Sequence, residues 1–162
     1  MANPHKHFAR LQLEIKQAID HDLPIIIGNE AVRLFKKNFQ DEGFFGKPWQ
    51  QVKRRQTHTV KYKTKSGMRS RIVPKAKGAA GTRKILTGNT GDLGRSIKMK
   101  PQPAKVTVYS DLPYSAVHNE GLRAGRGKGF TMPRRQFMGD SPELHRVLRE
   151  KIEKHLNKII HK

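Results

Sequence analysis

The sequence predicts an α+β fold: N-terminal helices, a small antiparallel sheet with a long basic hairpin or arm, and a C-terminal amphipathic helix. Three observations predict it. Apolar residues recur at three- and four-residue steps near both ends of the chain, which is the period of a single helical stripe. Between those ends, short stretches alternate apolar with charged residues, which is the period of a strand. The order helix, helix, strands, helix lacks the strand-and-crossover alternation of a parallel doubly wound sheet. At 162 residues the chain is the size of one domain with extensions, and it shows no internal repeat.

The elements follow in order. From Lys6 to about His21, Phe8, Leu11, Ile15, Ala18 and Ile19 fall on one stripe, so residues 1–23 read as an N-terminal helical extension. A second helix starts after Asp22, which reads as its cap, with Pro24 in the first turn. Ile25, Ile27, Ala31, Val32, Leu34, Phe35 and Phe39 give this helix a wide apolar face, and Gly43 reads as its terminator. Next, Val60, Tyr62 and Thr64 alternate with Lys61, Lys63 and Lys65 before a turn at Ser66-Gly67. Residues 52–84 therefore read as a basic hairpin or flexible arm that ends in the loop "PKAKGAAGT".

A short helix is expected near Gly91 to Ser96, among the turn residues Gly88, Asn89, Gly91 and Gly94. "KVTVYS" alternates as a strand, and "YSAVHNEG" reads as its antiparallel partner across Asp111-Leu112-Pro113. Residues 122–130 read as a flexible basic loop. Last, Asp140 or Ser141 caps and Pro142 opens a C-terminal helix of about five turns. Its face is Leu144, Val147, Leu148, Ile152, Leu156 and Ile159.

Charge sets the class of partner. Lys and Arg number 34 against 13 Asp and Glu, a formal charge of +21. Such a surplus opposes compaction and attracts polyanions or acidic protein surfaces. Sixteen of the cations lie between Lys47 and Lys100, against the single acid Asp92. With Trp49 and Tyr62 available for stacking, this stretch has the footprint of sequence-independent nucleic-acid binding. It lacks helix-turn-helix spacing, zinc-finger ligands and an aromatic RNA-recognition signature. Lys53, Arg54, Arg55, Lys61, Lys63, Lys65, Arg69 and Arg71, with Arg123, Arg126 and Lys128 of the later loop, are the candidate contacts to a polyanion or partner protein.

The absence of cysteine excludes disulfide scaffolds, thiolate zinc sites and cysteine nucleophiles. No apolar run approaches a membrane span or a leader h-region, so a soluble, unexported protein without membrane contact is expected. The stretch "AVHNEG" invites a metal reading, since His118 and Glu120 supply two ligands. Further ligands are missing, because no HxxxH or ExxH pattern occurs. His118 and Asn119 read better as local organisers of a strand end. The glycines at 121, 125, 127 and 129 match neither GxxxxGK[ST] nor GxGxxG, and no serine stands in a GxSxG elbow. No metal, cofactor or catalytic residue is assigned.

The ordered set "LPIIIGNEAVRLFKKNFQDEGF", "KPWQQVKRR", "ILTGNTGDLGRSI", "VTVYSDLPYSAVHNEG" and "FTMPRRQFMGDS" resembles the phage virion morphogenesis family of tail-completion and head-to-tail joining proteins. The resemblance implies a non-enzymatic structural protein of the virion, present in the host cytoplasm during assembly. Joined with the pattern of rigid helices and adaptable basic loops, it leads to a homo-oligomeric ring as the expected assembly, and to a head-tail connector, tail-tube or tail-terminator component as the expected partner. The positions it carries are Phe39, Gly43 and Trp49; Leu86, Thr87, Gly88, Leu93 and Ile97; Tyr114, His118, Asn119 and Gly121; and Pro133, Arg134, Phe137 and Gly139. Read from the residues alone, Phe39, Trp49 and Phe137 are core, and Gly88, Gly121 and Gly139 permit backbone angles closed to other residues. The alternative function is a basic nucleic-acid-binding accessory protein.

Overall fold

A long helical rod forms the spine of the molecule. A computed structural model describes residues 4–161, and in it α1 (Pro4–Gln17) runs through a π turn (Ala18–Asp22) directly into α2 (Leu23–Asp41). The break expected at Asp22 does not occur. Asp22 has helical angles and its side chain caps nothing. Pro24 has no N–H to return to the preceding turn, so the helix widens by one residue there, and the Leu23 N–H bonds to Ala18 O.

The inner face of α2 carries Ala31, Phe35, Asn38 and Phe39, all buried. It lies against a hairpin of β5 (Ile97–Gln102) and β6 (Lys105–Ser110), and against α6 (Pro142–Ile160). At the hairpin crossing a Cβ on Gly28 would meet the Met99 sulfur and stand 2.7 Å from Val106 Cγ2, so a larger residue would force those side chains to shift. Glu30, nearly buried, holds the α2–α6 contact from within, pairing with Arg33 at 2.6 Å and Lys151 at 3.7 Å. Helix α2 stops at Glu42, which takes the left-handed conformation (φ 52°) and returns its N–H to Asn38 O. Gly43 is not the terminator. It opens a two-residue hairpin, β1 (Gly43–Phe44) with β2 (Lys47–Pro48), where its missing side chain makes room for Lys47 O.

A 3₁₀ turn (Lys53–Arg55) leads into the arm, an antiparallel hairpin of β3 (Thr57–Thr64) and β4 (Gly67–Pro74). Its loop is Lys65-Ser66, one residue earlier than the sequence suggests. The stretch expected as a loop contains one helical turn, α3 (Ala79–Thr82), and α4 (Asp92–Arg95) falls within its expected span.

The pairing of β6 differs from expectation. Its partner is β5, in register from Ile97↔Ser110 to Gln102↔Lys105, and residues 115–120 are a helix, α5 (Ser115–Glu120). Ile97 and Met99 alternate with Lys98 and Lys100, and the tight turn at Pro103-Ala104 joins β5 to β6 locally. Gly121, at φ 74°, closes α5, with the N–H groups of Gly121 and Leu122 both on Val117 O. A last ribbon, β7 (Arg123–Ala124) with β8 (Phe130–Thr131), orders the glycine-rich segment. The described strands thus form four separate two-stranded hairpins. Helix α6 begins at Ser141, whose hydroxyl accepts the Leu144 N–H at 3.0 Å, behind Pro142.

The core gathers Phe35, Phe39, Trp49, Ile85, Leu93, Ile97, Phe137 and Leu144. Phe39 is its centre, edge-on to Trp49 at 5.6 Å and tilted on Phe137 at 5.0 Å.

Candidate interaction surfaces

Residues 132–139 form an extended strap without regular structure, and the molecule is organised around it. Backbone groups in such a segment need partners from elsewhere, and here side chains supply them. Asn119 Oδ1 accepts the N–H groups of Phe137 (2.9 Å) and Met138 (3.0 Å). Asn38 donates to Phe137 O at 3.0 Å and accepts the Phe45 N–H at 3.2 Å. Trp49 Nε1 donates to Gln136 O at 2.7 Å. His118 O accepts the Arg135 N–H at 2.9 Å. The strap lies so close to the end of α5 that a Cβ on Gly121 would stand 2.9 Å from Arg134 N.

The positions carried by the resemblance therefore divide. Phe39, Trp49, Leu93, Ile97 and Phe137 are buried core. Gly43, Asn119 and Gly121 serve the close approaches and strap bonds just described. Gly88 and Gly139 take left-handed or nearly inverted angles (φ 55° and 137°) at exposed turns, and Pro133 lies on the strap itself. Leu86 packs on the core despite φ 61°, and Thr87 Oγ1 donates to Lys84 O at 2.8 Å. Arg134 is exposed, reaching Gln136 Oε1 at 3.0 Å and Glu120 Oε2 at 3.8 Å.

His118 and Glu120 do not converge. In a helix, residues two apart diverge, unlike in the strand first expected. Glu120 bonds Asn119 Nδ2, whereas the His118 ring turns inward beside Tyr114, edge-on at 6.1 Å. Its Nδ1 is buried without a hydrogen-bond partner. Burial, and secondarily the Arg135 charge, hold this imidazole below its usual pKa. Among the described residues no group of three His, Asp or Glu is placed to hold a metal ion.

The root of the arm is a second built feature. Glu42 receives Arg55 through two bonds of 2.7 Å and also accepts the Ile85 N–H at 2.5 Å. Arg55 reaches Arg83 O at 2.8 Å, and Arg54 donates to Arg83 O and Lys84 O. Both ends of the 52–84 segment are thus clamped to the end of α2. The Arg55 guanidinium, more than any other group, holds the Glu42 carboxyl below the usual carboxylate range. Arg55 is spent on this joint and Arg54 gives it Nη2 alone, while Lys53 stays exposed beside it.

Beyond the joint, β3 and β4 pack chiefly on each other. Cross-strand partners share a face. Lys61 and Lys63 stand with Ile72 and Met68 on one face, and Tyr62 and Val60 with Arg69 and Arg71 on the other. Arg71 lies 5.6 Å over the Tyr62 ring. Cationic side chains therefore project from both faces, Lys65 marks the tip, and Met68 and Ile72 are about two-thirds or more exposed. In the β7–β8 ribbon Arg123 bonds back to Lys128 O, leaving Arg126 and Lys128 outward.

Sequence reasoning missed Asn38 and Arg135, which are 3% and 7% exposed. Asn38 left a signal as the one amide within the apolar stripe of α2. Arg135 left none, being one of two adjacent arginines. No described helix is long and apolar enough to cross a membrane. The profile of the phage virion morphogenesis family matches residues 20–157. No curated protein and no solved structure matches the chain significantly.

Proposed function

The chain belongs to the phage virion morphogenesis family, and from that premise we propose that it is a structural, non-enzymatic subunit of tail completion or head-to-tail joining. The observation that carries this reading is the division of labour within the fold. A core tied together by α2, the strap and α6 supports a basic hairpin, clamped at its root, that packs on little of its own molecule. A subunit of that build suits a ring. The core fixes the rotation between neighbours, and a heterologous contact closes when that rotation closes. The arm, with Lys61, Lys63, Lys65, Arg69 and Arg71, and the outward Arg126 and Lys128 then reach an acidic neighbour. The partners are a connector, a tail-tube or a tail-terminator protein, met in the host cytoplasm and retained in the virion.

Removing the coding sequence from the phage tests this. The expected result is separate heads and tails by electron microscopy, joined again when purified protein is added. Normal joined particles without the protein would overturn the proposal.

A nucleic-acid role is the second reading, favoured by cations on both faces of the arm. It requires DNA affinity that falls steeply with salt and a slope reduced by Lys61→Ala, Lys63→Ala and Arg69→Ala together. Affinity that ignores salt removes this reading.

A further inference from the structure

A cleft of about 350 Å³ opens between the 85–93 turn, the arm root, α5 and the strap. Its size falls at the lower end of pockets that take small groups. Val52, Leu86 and Met132 give it apolar walls, and Arg54, Arg135 and His118 also line it. The three polar groups are not fully used. Arg54 Nε and His118 Nδ1 are buried without hydrogen-bond partners. Arg135, 7% exposed, donates Nε and Nη2 to Gln50 O, a neutral acceptor. The only acid in the lining is Asp92, and its carboxylate is already engaged by Thr90 and Arg95. Two guanidinium groups thus share a recessed space with no counter-charge, and the charge of Arg54 bears on Arg135.

A buried Arg135, a part-buried Arg54 and the unpartnered Arg54 Nε–H call for an anion that brings its own acceptor atoms. A nucleic-acid strand follows an open track of exposed cations, as the arm offers. A short, recessed cleft with apolar walls beside its two guanidinium groups fits one carboxylate on an apolar stem. We propose that the cleft is a receptor for an aspartate or glutamate side chain flanked by an apolar residue, carried on an acidic segment of a neighbouring virion protein. This rests on the virion reading above for its partner, and on the cleft alone for its chemistry.

The test uses the full-length chain labelled for NMR and two capped tripeptides, acetyl-Leu-Glu-Leu-amide and acetyl-Leu-Gln-Leu-amide. The glutamate peptide is expected to shift the Arg54 side-chain N–H and the His118 ring resonances to saturation. The glutamine peptide should bind about tenfold more weakly, the worth of one charge-assisted bond pair over a neutral one. Equal binding of the two peptides would overturn the proposal, as would stronger competition by inorganic phosphate or a short oligonucleotide. Release of subunits from a self-assembled ring by the glutamate peptide would assign the cleft to a second copy and overturn the stated partner.

A second measurement does not depend on affinity. Met132→Glu places a carboxylate at the cleft wall and is expected to melt above Met132→Gln, and Met132→Lys below it. The reverse order sinks the assignment. Peptide binding by a protein absent from purified particles would overturn the virion reading and leave the cleft chemistry standing, so the two failures are distinguishable.

Discussion

Asn119→Ala isolates the part played by the strap. The alanine retains the α5 backbone and removes the one oxygen that receives the Phe137 and Met138 N–H groups. Leaving a buried donor without a partner costs about 1–3 kcal/mol. Phe137 is fully buried and Met138 only partly so, and the sum falls at about 2–4 kcal/mol. A chain of this size shifts its melting temperature by about 2–4 °C per kcal/mol, which gives a fall of roughly 4–16 °C. Differential scanning calorimetry at one fixed protein concentration reads it, since self-association alters apparent stability. Asn119→Asp is the control, because a carboxylate keeps the acceptor, although it loses the amide donor to Glu120 and sets a like charge beside it. It should recover most of the loss, and hydrogen exchange at residues 137 and 138 should accelerate in the alanine variant alone. A melting temperature within about 1 °C of the parent for Asn119→Ala, or equal damage from both variants, would refute the reasoning.

Gly121→Ala combines a left-handed backbone at φ 74° with a Cβ 2.9 Å from Arg134 N. Urea unfolding should show a loss of about 2–4 kcal/mol, and a loss below 1 kcal/mol would place the strap farther from α5. Glu42→Gln weakens the arm root by about 1–3 kcal/mol at neutral pH. The folded Glu42 pKa lies below its unfolded value. Its contribution is therefore complete above the unfolded carboxylate range, near pH 4.3, and is lost as pH falls through the lower folded value. The melting difference between Glu42→Gln and the parent should accordingly shrink on acidification, and a gap unchanged down to pH 2 would contradict the ion pair. Joining Thr57 to Pro74 through Gly-Gly removes the arm beyond its first cross-strand pair. The expected result is a melting temperature within about 3 °C of the parent, because no core residue is removed, together with loss of particle incorporation.

How much of this was legible depended on whether a segment was long enough to show a period. Helix α6 declared itself through a stripe from Leu144 to Ile159 behind Ser141-Pro142, and the arm through its alternation from Val60 to Thr64. Six residues cannot establish a period, so α5 passed for a strand, although Gly121 already marked a helix end. Pro24 suggested a new start because proline removes a donor, and the π turn absorbs that loss without a break. Phe39, Trp49 and Phe137 were readable as core from their chemistry. The joint of Glu42 with Arg55 and the cleft of Arg54 with Arg135 were not, because arginines that bond backbone carbonyls look in sequence like arginines that face solvent.

The clamped root has a mechanical consequence. Eight cross-strand pairs extend the hairpin about 27 Å from its anchorage. Held at one end, it is a cantilever, and about 5° of play at the Glu42–Arg55 joint sweeps the tip through about 2 Å. An arm held this way can follow a displaced contact at its tip while its root stays fixed. Loosening the joint by Glu42→Gln would widen that sweep without altering any residue of the arm itself.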